Sequence, residues 1–371
     1  MKRGSNQIKK VVIYRANFEL EEPFRTSLAE ISAANNIVIR IHLENGLYGT
    51  GEARPNPVVT GETQSSAFAA GKDKLHMLTG KSAYDIEGRM NDLDKVLTKN
   101  SALKSAVDIA LYDLLGKISD MPLYQVLGGE KRPIWTDNTV SLYSAEEMAQ
   151  KALIYMEQGF RALKVKLGDS PERDIERIKE IRRAIGHEIP IRIDANQGWS
   201  FKDALKVLKT IEGMNIEYCE QPLVHWDLEN MRELRYRVAI PIMADETLFS
   251  PQDAFRLATM KCCDYFNIKL TQSGGIHKAL MINAIGQGAG IPCMAGCMTE
   301  SRLALGATAH LVSARPNIRF CDLDGHISMK TDPVIGGVKY AGGDMELPDA
   351  PGHGADFEPD FLESCEFAII E

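Results

Sequence analysis

From about Ile134 onward, short apolar runs with β-type composition alternate with helix-length segments in which apolar residues recur every three or four positions. The strand candidates are Ile134–Val140, Ala162–Lys166, Ile189–Asp194, Ile216–Glu220, Ile240–Asp245, Tyr265–Lys269, Ile291–Gly296 and Ile318–Asp322. Between them, Pro171–Ile185 repeats isoleucine at Ile175, Ile178, Ile181 and Ile185. Ser250–Met260 opens on Ser250-Pro251 as N-cap and first helical residue. Eight strand–helix units predict an α/β chain whose parallel strands close into a (β/α)₈ barrel, because each crossover places a helix outside. An open doubly wound sheet would normally carry a glycine-rich phosphate turn after an early strand, and the sequence has none.

The flanking segments follow a different pattern. Lys9–Glu19 and Ile37–Glu44 read as antiparallel strands, with Asn45-Gly46 as a turn before Leu47–Glu52. Helical stretches follow around Thr63–Leu78, Asp85–Leu97 and Ala102–Ile118, and glycine-rich strand text returns at Gly336–Tyr340 and Met345–Leu347. The expected organisation is an α+β capping domain begun by residues 1–130, a barrel over residues 131–329, and a segment 330–371 that returns to the capping domain.

A chain of 371 residues suffices for a barrel of about 250 residues and a smaller unit. Its formal net charge of −8, with no basic run longer than Lys9-Lys10 or Arg182-Arg183, leaves no footprint for nucleic acid or anionic lipid. The opening MKRGSNQIKKVVIYRANFEL has only Val11–Tyr14 as an apolar run, too short for a signal peptide, and no apolar stretch approaches 18 residues. The expectation is a cytoplasmic homo-oligomer acting on a small molecule. Seven cysteines, mostly in apolar strand-like runs, read as reduced thiols packed as small hydrophobes. The pair Cys293 and Cys297 lacks the further ligands a zinc site needs.

Charge changes the picture inside the barrel. Lys166, Asp194, Glu220, Asp245 and Lys269 end successive strand candidates at intervals of 24 to 28 residues, and Asp322 ends the last. One strand–helix unit per interval puts them all on one rim, the C-terminal face where barrel active sites are built. Any single strand end attracts charge merely by being solvated, but three consecutive carboxylates flanked by lysines do not follow from solvation. Asp194, Glu220 and Asp245 are hard oxygen donors that suit Mg²⁺, with Mn²⁺ as the alternative. Lys164 and Lys166 share a strand face. Two ammonium groups beside a divalent cation should lower each other's proton affinity and poise a base near neutral pH. Lys269 comes from the other side of the ligands, and two bases on opposite faces of one carbon meet the requirement of a racemase or epimerase.

Lys164-Val165-Lys166, Asp194-Ala195-Asn196-Gln197-Gly198-Trp199, Glu220-Gln221-Pro222, Asp245-Glu246-Thr247 and Asn267-Ile268-Lys269 together resemble the muconate lactonizing enzyme subgroup of the enolase superfamily. The likeness extends over the whole chain, including Pro122-Leu123-Tyr124 and Leu127-Gly128-Gly129. It implies one Mg²⁺ on Asp194, Glu220 and Asp245, Lys166 and Lys269 as acid/base groups, Lys164 beside the substrate carboxylate, an enolate intermediate, and supporting roles for Asn196 and Glu246. The mandelate racemase subgroup would need a histidine base on a later strand; only His326, just beyond the last strand, comes near such a place.

Asp322 and Asp324, two apart after the last strand, share a face, and two more carboxylates on this rim call for a cationic partner. The D-x-D resembles the arrangement in dipeptide epimerases that holds a free α-ammonium. Met298 and Thr299 are expected to line the same substrate site. Epimerases of alanyl-glutamate commonly place an arginine in the first capping loop; the corresponding position is Ala29, with Arg25 offset, so an apolar or cationic second residue fits at least as well. Cycloisomerase, o-succinylbenzoate synthase and N-acylamino acid racemase chemistry are the alternatives on the same site. A non-catalytic relative would have lost a lysine or a carboxylate.

Overall fold

The structure, a computed structural model, describes residues 6–371, so Lys2 and Arg3 of the opening segment lie outside it. The N-terminal sheet is antiparallel: β1 (Ile8–Arg25), β2 (Glu30–Leu43) and β3 (Tyr48–Ala53) are hydrogen-bonded in that order. β1 and β2 run well past the expected strand ends. Their alternating pattern breaks at Glu21-Glu22-Pro23, but after a register shift between Glu19 and Phe24 the ribbon resumes with Phe24 opposite Ile31 and Arg25 opposite Glu30. The outer end of this hairpin lies over the barrel mouth. Ser27 Oγ donates to Ala195 O (2.9 Å), Leu142 N to Arg25 O (3.0 Å) and Tyr143 Oη to Pro23 O (3.0 Å). Gly49 and Gly51 press β3 onto the helix Ser101–Ser119, where a Cβ at Gly51 would lie 2.0 Å from Ala106 O.

The segment Ile134–Val140, expected as one strand, is two. β4 (Ile134–Trp135) joins a small separate sheet, and only β5 (Asn138–Val140) enters the barrel. The break sits at Thr136-Asp137, where Thr136 N leaves for Gly343 O (2.8 Å). The other barrel strands are β6 (Leu163–Lys166), β7 (Ile191–Asp194), β8 (Ile216–Glu220), β9 (Ile242–Ala244), β10 (Tyr265–Ile268), β11 (Cys293–Gly296) and β12 (Ile318–Asp322). They form one eight-stranded parallel sheet in chain order. The ring is nearly closed: β12 meets β5 through Asp137 N on Cys321 O (3.4 Å) and Leu323 N on Thr136 Oγ1 (2.8 Å). Among the described residues no helix directly follows β12; the one later helix, Pro359–Ser364, lies just before the last strand. The chain passes through β13 (Val334–Gly336), β14 (Lys339–Ala341), β15 (Asp344–Glu346) and β16 (Ala355–Phe357) to β17 (Glu366–Ile370), which pairs with β1.

Alternation along each barrel strand sorts the side chains into two sets. Leu163, Val165, Ile191, Ile193, Cys219, Ile242, Ala244, Phe266 and Ile268 join the main core shared with the outer helices. Tyr218, Met243 and Met294 form a separate small cluster with Tyr265 and Phe320. The seven cysteines are free thiols, as expected, and no helix of the described residues is long and apolar enough to cross a membrane.

Candidate active site

The rim residues converge as the spacing predicts. Oxygens of Asp194, Glu220 and Asp245 lie within 4.8 Å of one another, and all three side chains are fully buried. Asp245 and Lys269 sit one residue beyond the ends of β9 and β10. Lys166 Nζ is 2.7 Å from Asp194 Oδ2, and Lys269 Nζ is 2.6 Å from Asp245 Oδ2. β6 and β10 are separated by β7, β8 and β9, so the two lysines flank the carboxylates from opposite sides of the ring. Gly296 leaves room for Lys269: a Cβ there would come within 3.0 Å of Lys269 Cε and 2.5 Å of Asn267 Oδ1.

Lys164 lies deeper than expected of a group that only meets substrate. Its Nζ contacts Asp322 Oδ2 (2.7 Å), Glu220 Oε2 (2.8 Å) and Asp194 Oδ2 (3.3 Å). Burial alone would depress the lysines, but the carboxylates outweigh it and hold both Lys164 and Lys269 above the ordinary lysine range. Direct contact with carboxylates that outnumber the lysines sets this direction.

Those carboxylates are themselves strained. Glu220 is pushed up to about 8 by burial and then by the charge of Asp194. Asp245 and Glu246 are also raised, burial first. Asp194 goes the other way: burial opposes its charge, but Lys166 and Lys164 hold it below the usual carboxylate range. Among the described residues, Asp245 Oδ1 and Glu246 Oε2 are buried without a hydrogen-bond partner. Three converging all-oxygen donors with lone pairs to spare fit a hard divalent cation such as Mg²⁺ or Mn²⁺.

Neighbours fix the donors. Asn267 Nδ2 donates to Glu220 Oε1 (2.8 Å), and Asn196 N to Asp194 Oδ1 (2.8 Å). Asn196 Nδ2 reaches Glu246 Oε1 (3.1 Å). Gln221, in the left-handed region at φ +33°, accepts from Asp245 N (3.0 Å) and Thr247 Oγ1 (2.7 Å) and so holds the next strand's ligand. The motifs contain Asn267 and Gln221, but nothing in the spacing distinguishes them from ordinary loop residues.

A cavity of about 270 Å³ opens over the cluster. It is lined by Lys164, Lys166, Lys269, Asn196, Glu246, Asp322, Asp324, Met298 and Thr299, so these expected residues come together. Asp324 Oδ2 accepts from Thr139 N (2.7 Å), and its carboxyl is pushed up to about 6 by burial and by Asp322. Asn138 and Thr139 on β5, with Phe24, Leu28, Ile31 and Val58 from the capping side, complete the wall and belong to none of the sequence motifs. Their role depends on the hairpin's position over the barrel, which no local pattern encodes. Ala29 lines the cavity, whereas Arg25 turns away to Glu30 (2.8 Å) and Tyr143. His326 does not line it; half-buried against Tyr340, it is pushed down to about 4 by desolvation.

Two family models match the chain: the mandelate racemase / muconate lactonizing enzyme N-terminal domain over residues 8–128, and the enolase C-terminal domain-like model over residues 147–361. An L-Ala-D/L-Glu epimerase of Clostridium acetobutylicum is 41% identical over 94% of this chain and 98% of its own. A dipeptide epimerase of Cytophaga hutchinsonii, solved with Mg and D-Ala-L-Val, superposes with a TM-score of 0.97 at 40% identity, covering 98% of this chain and 100% of that one. One from Enterococcus faecalis, solved with Mg and L-Leu-L-Tyr, gives 0.92 at 40% identity, covering 94% and 99%.

Proposed function

This chain belongs to the mandelate racemase / muconate lactonizing enzyme family of the enolase superfamily, and on that premise we propose that it is a Mg²⁺-dependent dipeptide epimerase acting on dipeptides with an apolar second residue. The observation that carries this reading is one cavity, lined by two lysines from opposite strands and by a second acidic pair, opening over the carboxylate triad that those lysines contact.

Asp194, Glu220 and Asp245 hold the Mg²⁺, which, when bound, lowers the cost of the second negative charge the substrate carboxylate acquires as the α-proton leaves. Lys166 and Lys269 face the α-carbon from opposite sides. One removes the proton, the other returns one to the opposite face, and the configuration inverts. Lys164 offers its ammonium to the substrate carboxylate. Asp322 and Asp324 take the free α-ammonium, which the N-acyl and cycloisomerase alternatives would not supply.

Apolar preference rests on the wall. Apart from the three lysines of the ring, the only cationic side chain among the described residues lining the cavity is Lys151, which is paired with Glu22 (2.6 Å). Leu28, Ala29, Ile31, Val58 and Met298 leave nothing to hold a distal carboxylate. A cytoplasmic homo-oligomer belongs to the same proposal: exposed Trp226, Tyr236 and Phe255, on or beside two successive outer helices, are apolar surface that a second copy would cover.

The test is to incubate L-Ala-L-Leu, L-Ala-L-Phe and L-Ala-L-Glu with enzyme and Mg²⁺ in D₂O and follow the C-terminal α-proton by NMR. Loss of that signal with appearance of the L,D epimer, fastest for the apolar dipeptides, is expected. No exchange in any dipeptide, with turnover of N-succinyl amino acids instead, would overturn the reading.

A further inference from the structure

The loop that carries Met298 and Thr299 is gripped by two buried carboxyl groups that do not line the cavity. The first is Glu52, near the end of β3 and fully buried. Its Oε1 accepts from Asn36 Nδ2 (2.6 Å) and Ser301 N (3.1 Å), and its Oε2 from Ser301 Oγ and Ala304 N (3.4 Å). Asn36 of β2 also donates to Thr299 O (3.2 Å). The second is Glu300, whose Oε2 accepts from Met298 N (3.1 Å) and whose Oε1 accepts from Thr271 Oγ1. Thr271 lies two residues after Lys269, in the short turn Leu270–Ser273 that Lys269 caps. Arg54 N, two residues beyond Glu52, donates to Thr271 Oγ1 (3.3 Å) and ties that turn back to the capping side.

Helix capping does not account for Glu52. The helix Arg302–Ala314 already has Ser301 as its N-cap, with Ser301 Oγ accepting from Leu303 N (3.2 Å). A second, fully buried carboxylate is a costly way to add to a cap. What it adds is a link between the capping sheet and the backbone from Thr299 to Ser301. The link is stiff because Gly49 and Gly51 seat β3 directly on the helix beneath it.

We propose that Glu52, with Asn36, is a positioning residue that sets the Met298–Thr299 wall of the substrate pocket, and that Glu300, with Thr271, is a positioning residue that ties the same loop to the turn carrying Lys269. The two arms share one loop but end at different places, so their loss separates kinetically. The Glu52 arm ends on substrate contacts and governs KM; the Glu300 arm ends beside a base and governs kcat. This inference rests on the dipeptide epimerase reading.

The test uses E52Q and E300Q in the full-length enzyme with Mg²⁺, and E52L and E300L where they fold. E52Q is expected to raise KM for an apolar dipeptide about tenfold with kcat within about threefold of wild type, and E300Q to lower kcat about tenfold with KM little changed. Amide hydrogen exchange, read without turnover, is expected to speed up at Ser301 and Ala304 in E52Q and at Met298 in E300Q. Wild-type kinetics with unchanged exchange in both variants would overturn the proposal. So would equal losses of kcat and kcat/KM in both variants accompanied by a lowered Tm, since that pattern is a merely structural role. If the wild-type enzyme epimerises no dipeptide, the functional reading fails, and the exchange pattern alone then decides whether the two arms hold the loop.

Discussion

Two residues on β7, only two positions apart, belong to buried charge clusters of opposite character. Arg192, toward the N-terminal end of the barrel, is completely buried and held by Asp137 (2.9 Å) and Glu217 (2.7 Å). Its guanidinium carbon lies 5.1 to 5.6 Å from the ring centres of Trp135, Tyr218 and Phe320. Asp194, at the C-terminal end, is buried equally but stands in a ring where Lys164, Lys166 and Lys269 face Asp194, Glu220, Asp245, Glu246, Asp322 and Asp324. At one end a single guanidinium is held by one buried and one half-exposed carboxyl group and wrapped in aromatic rings, with Arg192 Nη2 and Asp137 Oδ1 left without a partner. At the other, oxygens of three buried carboxylates converge within 4.8 Å of one another, and Glu220 is pushed up to about 8. A cation enclosed by its own partners serves the fold. Carboxylates converging on one point are the signature of a site completed by something from outside.

That contrast breaks most visibly on removal of the cation. EDTA should abolish epimerisation and Mg²⁺ restore it, and D194N, E220Q or D245N should be as inactive as the chelated wild type, whereas R192M should retain wild-type kcat per folded molecule. Full activity in a metal-free preparation, or an inactive but folded R192M, would erase the distinction between the two ends.

Stability should move in opposite directions at the two ends. R192M leaves Asp137 buried beside an apolar chain and should cost about 3–5 kcal/mol in denaturant unfolding. E220Q, measured in EDTA, removes a charge that burial and Asp194 disfavour, and should be neutral or stabilising, increasingly so as pH rises from about 4.5 toward about 8. The sign follows from linkage. Glu220 binds its proton more tightly folded, at about 8, than unfolded, at about 4.5. The contribution of Glu220 to metal-free stability is therefore greatest below the lower value and is lost as pH rises to the upper one, by at most about 1.4 kcal/mol per pH unit. E220Q should flatten this slope, and so should Mg²⁺ in the wild type.

The smallest effect probes the acidic pair. A charge-assisted contact to an ammonium is worth about 1.5–3 kcal/mol, so D324N should lose roughly ten- to a hundredfold in kcat/KM for a free dipeptide and nothing further for its N-acetyl form. With its carboxyl at about 6, Asp324 gains a proton as pH falls through that value, and kcat/KM should fall with it. D324N should lack that acid limb. Equal kcat/KM for free and acetylated dipeptides in the wild type would remove the ammonium-binding role.

The rim was legible because two periodicities coincide. Alternation along each strand and one strand–helix unit between successive charges leave few geometries other than a ring. The cluster around Arg192 has no such mark: a charged residue inside an apolar strand does not reveal whether Asp137 will reach it from the turn before β5 and Glu217 from β8. The same holds for the break at Thr136-Asp137, invisible in the apolar run Ile134–Val140, and for the continuation of β1 past Glu21-Glu22-Pro23. Both are decided by partners far along the chain, Gly343 in one case and Ala195 and Leu142 in the other. Glu52 is the extreme instance. Nothing near it in sequence connects it to Ser301, yet it is bonded there.

The central claim, that Lys166 and Lys269 address one carbon from opposite faces, is tested most directly by α-proton exchange of separated L,L and L,D dipeptide epimers in D₂O with K166A and K269A. Neither variant should interconvert the epimers, and each should exchange the α-proton of one epimer only, a different one in each case. Normal epimerisation by either variant, or exchange of the same epimer by both, would contradict it.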